Sequence, residues 1–173
     1  DTGSRGLGDV YKRQLLGYAL SLHSKKSYET LLQEIIFTPL KMTRSTTNRS
    51  IIEAHLVKGL DLMGIETPNW DFDVMAPAGA VLSSVEDLSK FVLANFDTTN
   101  KVFQLQQEKT FKVNEQIDLA LAWHISNGPS GNTYHWHNGA TGGYRSFLAM
   151  DLEHQNGIII LSNLSATHPD GNH

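Results

Sequence analysis

The run from Tyr134 to Asn163, YHWHNGATGGYRSFLAMDLEHQNGIIILSN, restricts the possible folds of this chain more than any other stretch. Residues 144–150 and 157–161 read as strands, and the polar joint between them carries Asn156-Gly157, the strongest short signal for a tight hairpin turn. A third strand-like segment, 133–137, ends in His137-Asn138-Gly139 and leads into Ala140-Thr141-Gly142-Gly143. Glycines close behind a strand end let a second backbone, or a ligand, approach the first. A histidine at the mouth of such a turn is placed to meet a substrate. The same spacing also describes a solvated turn with an incidental histidine.

The remaining chain supplies helices. Residues 15–24 read as a buried helix end. Residues 27–37 place Leu31, Leu32, Ile35 and Ile36 at helical spacing, with Glu29 in the first turn and Pro39 as the stop. Residues 43–50 are loop-like. Residues 51–65 fit a helix start or strand near Ile51 and a strand near Leu60. Residues 66–73 are irregular. The small residues 76–80 predict tight packing behind a site. Ser84-Val85-Glu86-Asp87 is an acidic relative of the capping box, so a helix starts at Val85, with Leu88, Phe91, Val92 and Phe96 as its core face. Residues 97–116 are polar and weakly helical, 119–126 read as one strand, and 127–132 as a turn. These elements predict an α+β fold: helices packed on an antiparallel sheet of three or four strands.

The length of 173 residues suits one domain, and 40% apolar residues allow a core. A net charge of −4 without a basic stripe argues against nucleic acid. No apolar run reaches about 18 residues, so no membrane span is expected. Without cysteine there is no disulfide or thiolate chemistry. His135 and His137 share a strand face but have no third ligand nearby, so no metal site is expected, and no cofactor. Ser83 and Ser84 lack a base at readable spacing, and capping explains Ser84. Ser130-Gly131-Asn132 sits in a turn too close to His137 to act as a separate catalytic motif. Trp123, Trp136 and Phe147 are expected to pack. Asn48-Arg49-Ser50 and Asn163-Leu164-Ser165 are glycosylation sequons in form.

Ser4 to Gln14, SRGLGDVYKRQ, matches the translation of a common sequencing-library adapter. Residues 1–14 are therefore expected to be non-native, with 15–173 the C-terminal part of a single domain.

Three segments carry a family resemblance. LLGYALSLHSKKSYETLLQEIIFTPLKMTRST resembles a helix and turn of serine β-lactamase-like proteins. APAGAVLSSVEDLSKF resembles their Ala-Gly-Gly-(Leu/Val)-x-Ser-x-x-Asp-Leu segment, and HNGATGGYRSFLAMDLEHQNGIIILSN their Lys/His-Thr-Gly strand with its hairpin. The group is that of class C β-lactamases, DD-peptidases and esterases, the penicillin-recognising serine hydrolases. The resemblance implies part of a transpeptidase-like fold and cleavage of an amide or ester through an acyl-enzyme. It also implies a small-molecule or peptide substrate and a periplasmic or secreted parent. His137 would replace the usual lysine and bind the substrate carboxylate or carbonyl. The Ala140 N–H would be an oxyanion donor, and Asn138, Gly139 and Thr141 would line the substrate. Asn138 stands where threonine is usual, and Lys41 where relatives carry glycine. The family's Ser-x-x-Lys and Tyr-x-Asn motifs do not occur in these 173 residues, so the chain alone is expected to be inactive. A penicillin-fold protein that binds a ligand or partner without turnover is the alternative.

Overall fold

The hairpin-rich stretch forms the end of a six-stranded antiparallel sheet whose strands follow one another in chain order. They are β1 (Phe111–Lys112), β2 (Ile117–Leu119), β3 (His124–Asn127), β4 (Thr133–Thr141), β5 (Tyr144–Asp151) and β6 (Asn156–Ser162). The computed structural model describes residues 2–70, 72–128 and 131–164. The irregular reading at Asp71, the turn and Ser130 motif at Pro129-Ser130, and Ser165 of the second sequon lie outside these residues.

Three expectations about the sheet are corrected. It has six strands, not three or four. One reason is that 119–126 breaks in two: Ala122 adopts φ 65° and the Ala120 N–H donates to the Trp123 carbonyl at 2.9 Å. That turn drives Trp123 into the core, at 7% exposure. Second, His137-Asn138-Gly139 is not a turn after a strand. β4 continues through it to Thr141, pairing with β5 as far as Tyr144, and only Gly142-Gly143 turn. Third, Asn156-Gly157 is not the turn of the last hairpin. Asn156 pairs with Asp151 and Gly157 with Met150, and Gln155 takes the left-handed conformation before them. Gly157 is needed for packing: a Cβ there would lie 2.6 Å from Val92 Cγ1.

Val92 belongs to helix α4 (Val85–Asn95), which starts as expected, with Ser84 Oγ accepting from the Asp87 N–H at 3.2 Å. The helix lies on β6 and closes a core of Val92, Ala120, Trp123, Ile125 and Met150, flanked by Phe91, Phe96, Leu148 and Ile159. Full burial of a Val, Ile, Leu, Phe or Met side chain contributes roughly 1.5–3 kcal/mol. Helix α5 (Lys101–Gln107) follows, capped by Asn100.

In the N-terminal half, α1 (Thr2–Ser24) precedes α2 (Tyr28–Leu32), which Ser27 caps and which runs on into a π-helical turn, Gln33–Phe37, before Pro39. Residues 15–24 are not a buried helix end. Leu15, Leu16 and Leu22 are mostly exposed, because α1 packs mainly on the 3-10 turn Asp73–Ala78 and on α2, away from these side chains. Gly17 is the close-approach point: a Cβ there would fall 2.1 Å from Pro77 Cγ. The small residues 76–80 thus make room for α1. Near Ile51 the chain forms α3 (Arg49–Ile52), capped by Asn48. Leu60 makes isolated bridges to Glu66 and Leu164 and no strand. Lys41 has φ 57°, in the left-handed region that glycine adopts most readily.

Candidate functional site

Pairing decides what β4 can offer. β3 pairs with β4 only from Thr133 to Trp136, so beyond Trp136 that edge of β4 has no strand beside it among the described residues. The two-residue turn makes Thr141 and Tyr144 the hydrogen-bonded closing pair. The antiparallel ladder alternates, so the backbone groups of Thr141, Gly139 and His137 face β5, and those of Asn138 and Ala140 face the open edge. Side chains alternate the other way, between sheet faces. His137, Gly139 and Thr141 share one face; Asn138 and Ala140 share the opposite one. What Asn138 and Ala140 present at the edge is main chain. A Cβ on Gly139 would meet only the Ser146 hydroxyl, at 3.0 Å.

The loop over the turn fixes the end of this edge. Gly142 lies under Trp70, with a Cβ position 2.6 Å from the indole, and Gly143, at φ 79°, packs on Gly59. The Tyr144 hydroxyl donates to the Val57 carbonyl at 2.5 Å.

His137 lines a cleft of about 230 Å³ with Trp123, His124 and Arg13. It continues into a more apolar groove of about 430 Å³ lined by Leu88, Phe91 and Leu148. The Arg13 guanidinium donates to His137 Nε2 at 3.1 Å, which requires a lone pair on Nε2 and the ring proton on Nδ1. Burial pushes the His137 imidazole below its ordinary value, the positive charges of Arg13 and His124 add to that, and a backbone hydrogen bond involving Asn138 opposes it. A neutral His137 near pH 7 can accept a hydrogen bond or a proton, and binds a carboxylate less strongly than a lysine would.

The other candidates have structural partners. His135 is buried, and its Nε2 lies 2.9 Å from the Gln107 carbonyl, so it anchors the end of α5 to β4. Among the described residues no group of three side chains could hold a metal ion. Ser83 Oγ lies 2.8 Å from Ser45 Oγ, in a network that runs on to the carboxylate of Asp87 and its Lys90 ammonium, which donates to Asp87 and to the Lys41 carbonyl rather than touching a serine hydroxyl. Trp123 packs in the core. Trp136 stacks against Phe147 at 6.0 Å and against His124 at 4.4 Å. His124 is the cleft residue that sequence reasoning missed. Its only local signal was its place after Trp123 in a strand-like run.

A family model described as Beta-lactamase matches residues 11–173. Protein flp of Staphylococcus aureus (strain N315) is 25% identical over 168 residues, covering 89% of this chain and 32% of that protein. The beta-lactamase/D-alanine carboxypeptidase of Pseudomonas syringae superposes with a TM-score of 0.78 at 20% identity, over 88% of this chain and 52% of that one. The D-alanine carboxypeptidase AmpC of Burkholderia cenocepacia gives a TM-score of 0.79 at 19% identity, over 90% and 55%. The chain thus spans about a third of the curated relatives it matches and about half of these solved ones.

Proposed function

Since the chain belongs to the beta-lactamase family, with a serine-hydrolase-type fold, we propose that it carries the substrate-strand side of a site that cleaves an amide or ester through an acyl-enzyme. One observation carries this reading: the edge of β4 at Asn138 and Ala140 is open, beside the half-buried His137. An extended substrate adds to such an edge by main-chain hydrogen bonds, and its carbonyl oxygen then lies against the Ala140 N–H. As a serine hydroxyl attacks that carbonyl, charge develops on the oxygen, and a fixed N–H donor stabilises it. Gly139 leaves the strand face open and Thr141 borders it. His137, neutral and with Nε2 toward the cleft, accepts a proton or hydrogen bond during acylation.

The serine and tyrosine motifs of the family are assigned to sequence outside these 173 residues, and residues 1–14 to an adapter-derived segment. The chain by itself is then inactive. These readings fit a chain that spans a third to a half of its relatives.

The test uses the full-length protein. Labelling by a fluorescent penicillin and hydrolysis of a nitrophenyl ester are expected, and His137→Ala should slow both. Parent-rate acylation by a folded His137→Ala protein would remove His137 from the site. Ligand binding with no acylation would favour the non-catalytic alternative.

A further inference from the structure

We propose that His124 is a positioning residue for His137, fixing the orientation and charge state in which His137 meets substrate. The proposal rests on the reading of His137 as a site residue. His124 pairs in register with Trp136, the residue just before His137. Its ring lies flat on the Trp136 indole, with centroids 4.4 Å apart and planes at 18°. Trp136 is itself held, because its indole N–H donates to Ser126 Oγ at 2.7 Å and its other contact is Phe147. His124 therefore has a stiff backing. Its Nδ1 is buried and makes no hydrogen bond among the described residues, so stacking is what holds the ring. Against this backing the His137 ring stands 6.1 Å away at 47°, and both rings line the same cleft.

The charges around His137 make His124 matter. α1 brings Lys12 and Arg13 to the cleft, and β3 brings His124. The facing residues of α4, α5 and β5, namely Leu88, Phe91, Gln106, Ser146 and Leu148, carry no charge. No carboxylate lines either part of the groove among the described residues. Lys12 and Arg13 lie in the stretch assigned to the adapter, so His124 is the ionisable neighbour that the sheet itself supplies. At this ring separation a positive charge on the His124 side opposes a proton on His137, in the same direction as burial does. His124 thereby keeps His137 neutral, the form that accepts a proton from substrate or nucleophile.

The experiment follows the imidazole resonances of the full-length protein against pH, together with the pH profile of nitrophenyl-ester acylation. It compares the parent with His124→Phe, His124→Gln and His124→Lys. Phenylalanine keeps the stack on Trp136 and removes the charge; glutamine removes both; lysine keeps a positive charge. The His137 midpoint should rise in the first two, and the acid limb of the acylation profile should move up with it. In His124→Lys the midpoint should stay low. An unchanged His137 midpoint in folded His124→Phe overturns the proposal, and this variant decides the matter even where His124→Gln does not fold. The two readings fail separately. Slow acylation by His137→Ala with an unmoved midpoint in the His124 variants removes only His124. Parent-rate acylation by His137→Ala removes His137 from the site, whatever the midpoint does.

Discussion

Asp87 and His137 are both polar side chains drawn out of water, and the molecule partners them in opposite ways. Asp87 is fully buried, yet both oxygens are engaged: Oδ2 accepts from the Arg44 N–H at 2.7 Å and Ser45 Oγ at 2.9 Å, and Oδ1 from Lys90 Nζ at 2.8 Å. Nearby Glu29 is treated alike, accepting from Gln33, Thr46 and Thr47, the last through both its N–H and its hydroxyl. Burial alone would raise both carboxyls, but the hydrogen bonds outweigh it and hold both below their ordinary values. These two groups tie residues 44–47 to α2 and α4. At the β4 edge the polar groups have spare capacity. His124 Nδ1 has no partner among the described residues, and the Asn138 and Ala140 main chain faces no strand. Saturated polar groups hold elements together; under-partnered ones beside a cleft are free to bind something else.

The contrast is broken most strongly at the open edge. Ala140→Pro removes the donor assigned to the oxyanion, and acylation by the full-length protein should fall by about 10²–10³-fold. Ala140→Ser keeps the N–H and should change little. Circular dichroism must first show the proline variant folded; acylation at the parent rate would then place the donor elsewhere.

At the saturated end, Asp87→Ala should cost about 3 kcal/mol of folding stability, because it strands the Lys90 ammonium and the Arg44 N–H. Urea unfolding measures this. Acylation per folded molecule should stay at the parent value, and a large loss there would mean the two regions are coupled.

Gly157→Ala probes the packing that connects the sheet to α4. The added Cβ must displace Val92, and overpacking of this kind costs roughly 1–3 kcal/mol. A thermal midpoint equal to the parent's would show that α4 can shift away from β6 without loss.

The smallest effect is the pH dependence, and it separates the two regions by window. Asp87, Glu29 and His137 all have folded values below their unfolded ones, so in each case the unfolded chain takes up protons first. Stability therefore falls with falling pH in both regions. His137 begins to act below about pH 6.5 and the carboxylates only below about pH 4. In urea midpoints followed against pH, His137→Ala should remove the upper slope and Asp87→Asn part of the lower. An upper slope that survives His137→Ala would assign that window to another histidine.

Local chemistry made much of this legible from the residues alone. The cap at Ser84, the helical spacing of 27–37 and the strand character of 144–150 and 157–161 each depend on a few adjacent residues, and each appears where the sequence places it. The misread positions share another property. Gly157 looked like a turn residue because glycine serves turns and close contacts equally well, and only Val92, far off in the chain, shows which use applies. Ala122 carries no local sign of its left-handed conformation, which exists because Trp123 has a core to enter. The leucines of α1 have helical spacing, but whether they are covered depends on what packs there.

The sequence by itself determined the family, the order of helices before strands, and the motif that marks the β4 edge, because periodicity, capping and turn chemistry act over a few residues. Tertiary structure alone decided that β3 pairs with β4 no further than Trp136 and leaves Asn138 and Ala140 open, and that His124 stands against Trp136 beside His137. Those outcomes depend on cross-strand register, and register is set by which distant side chains share a core.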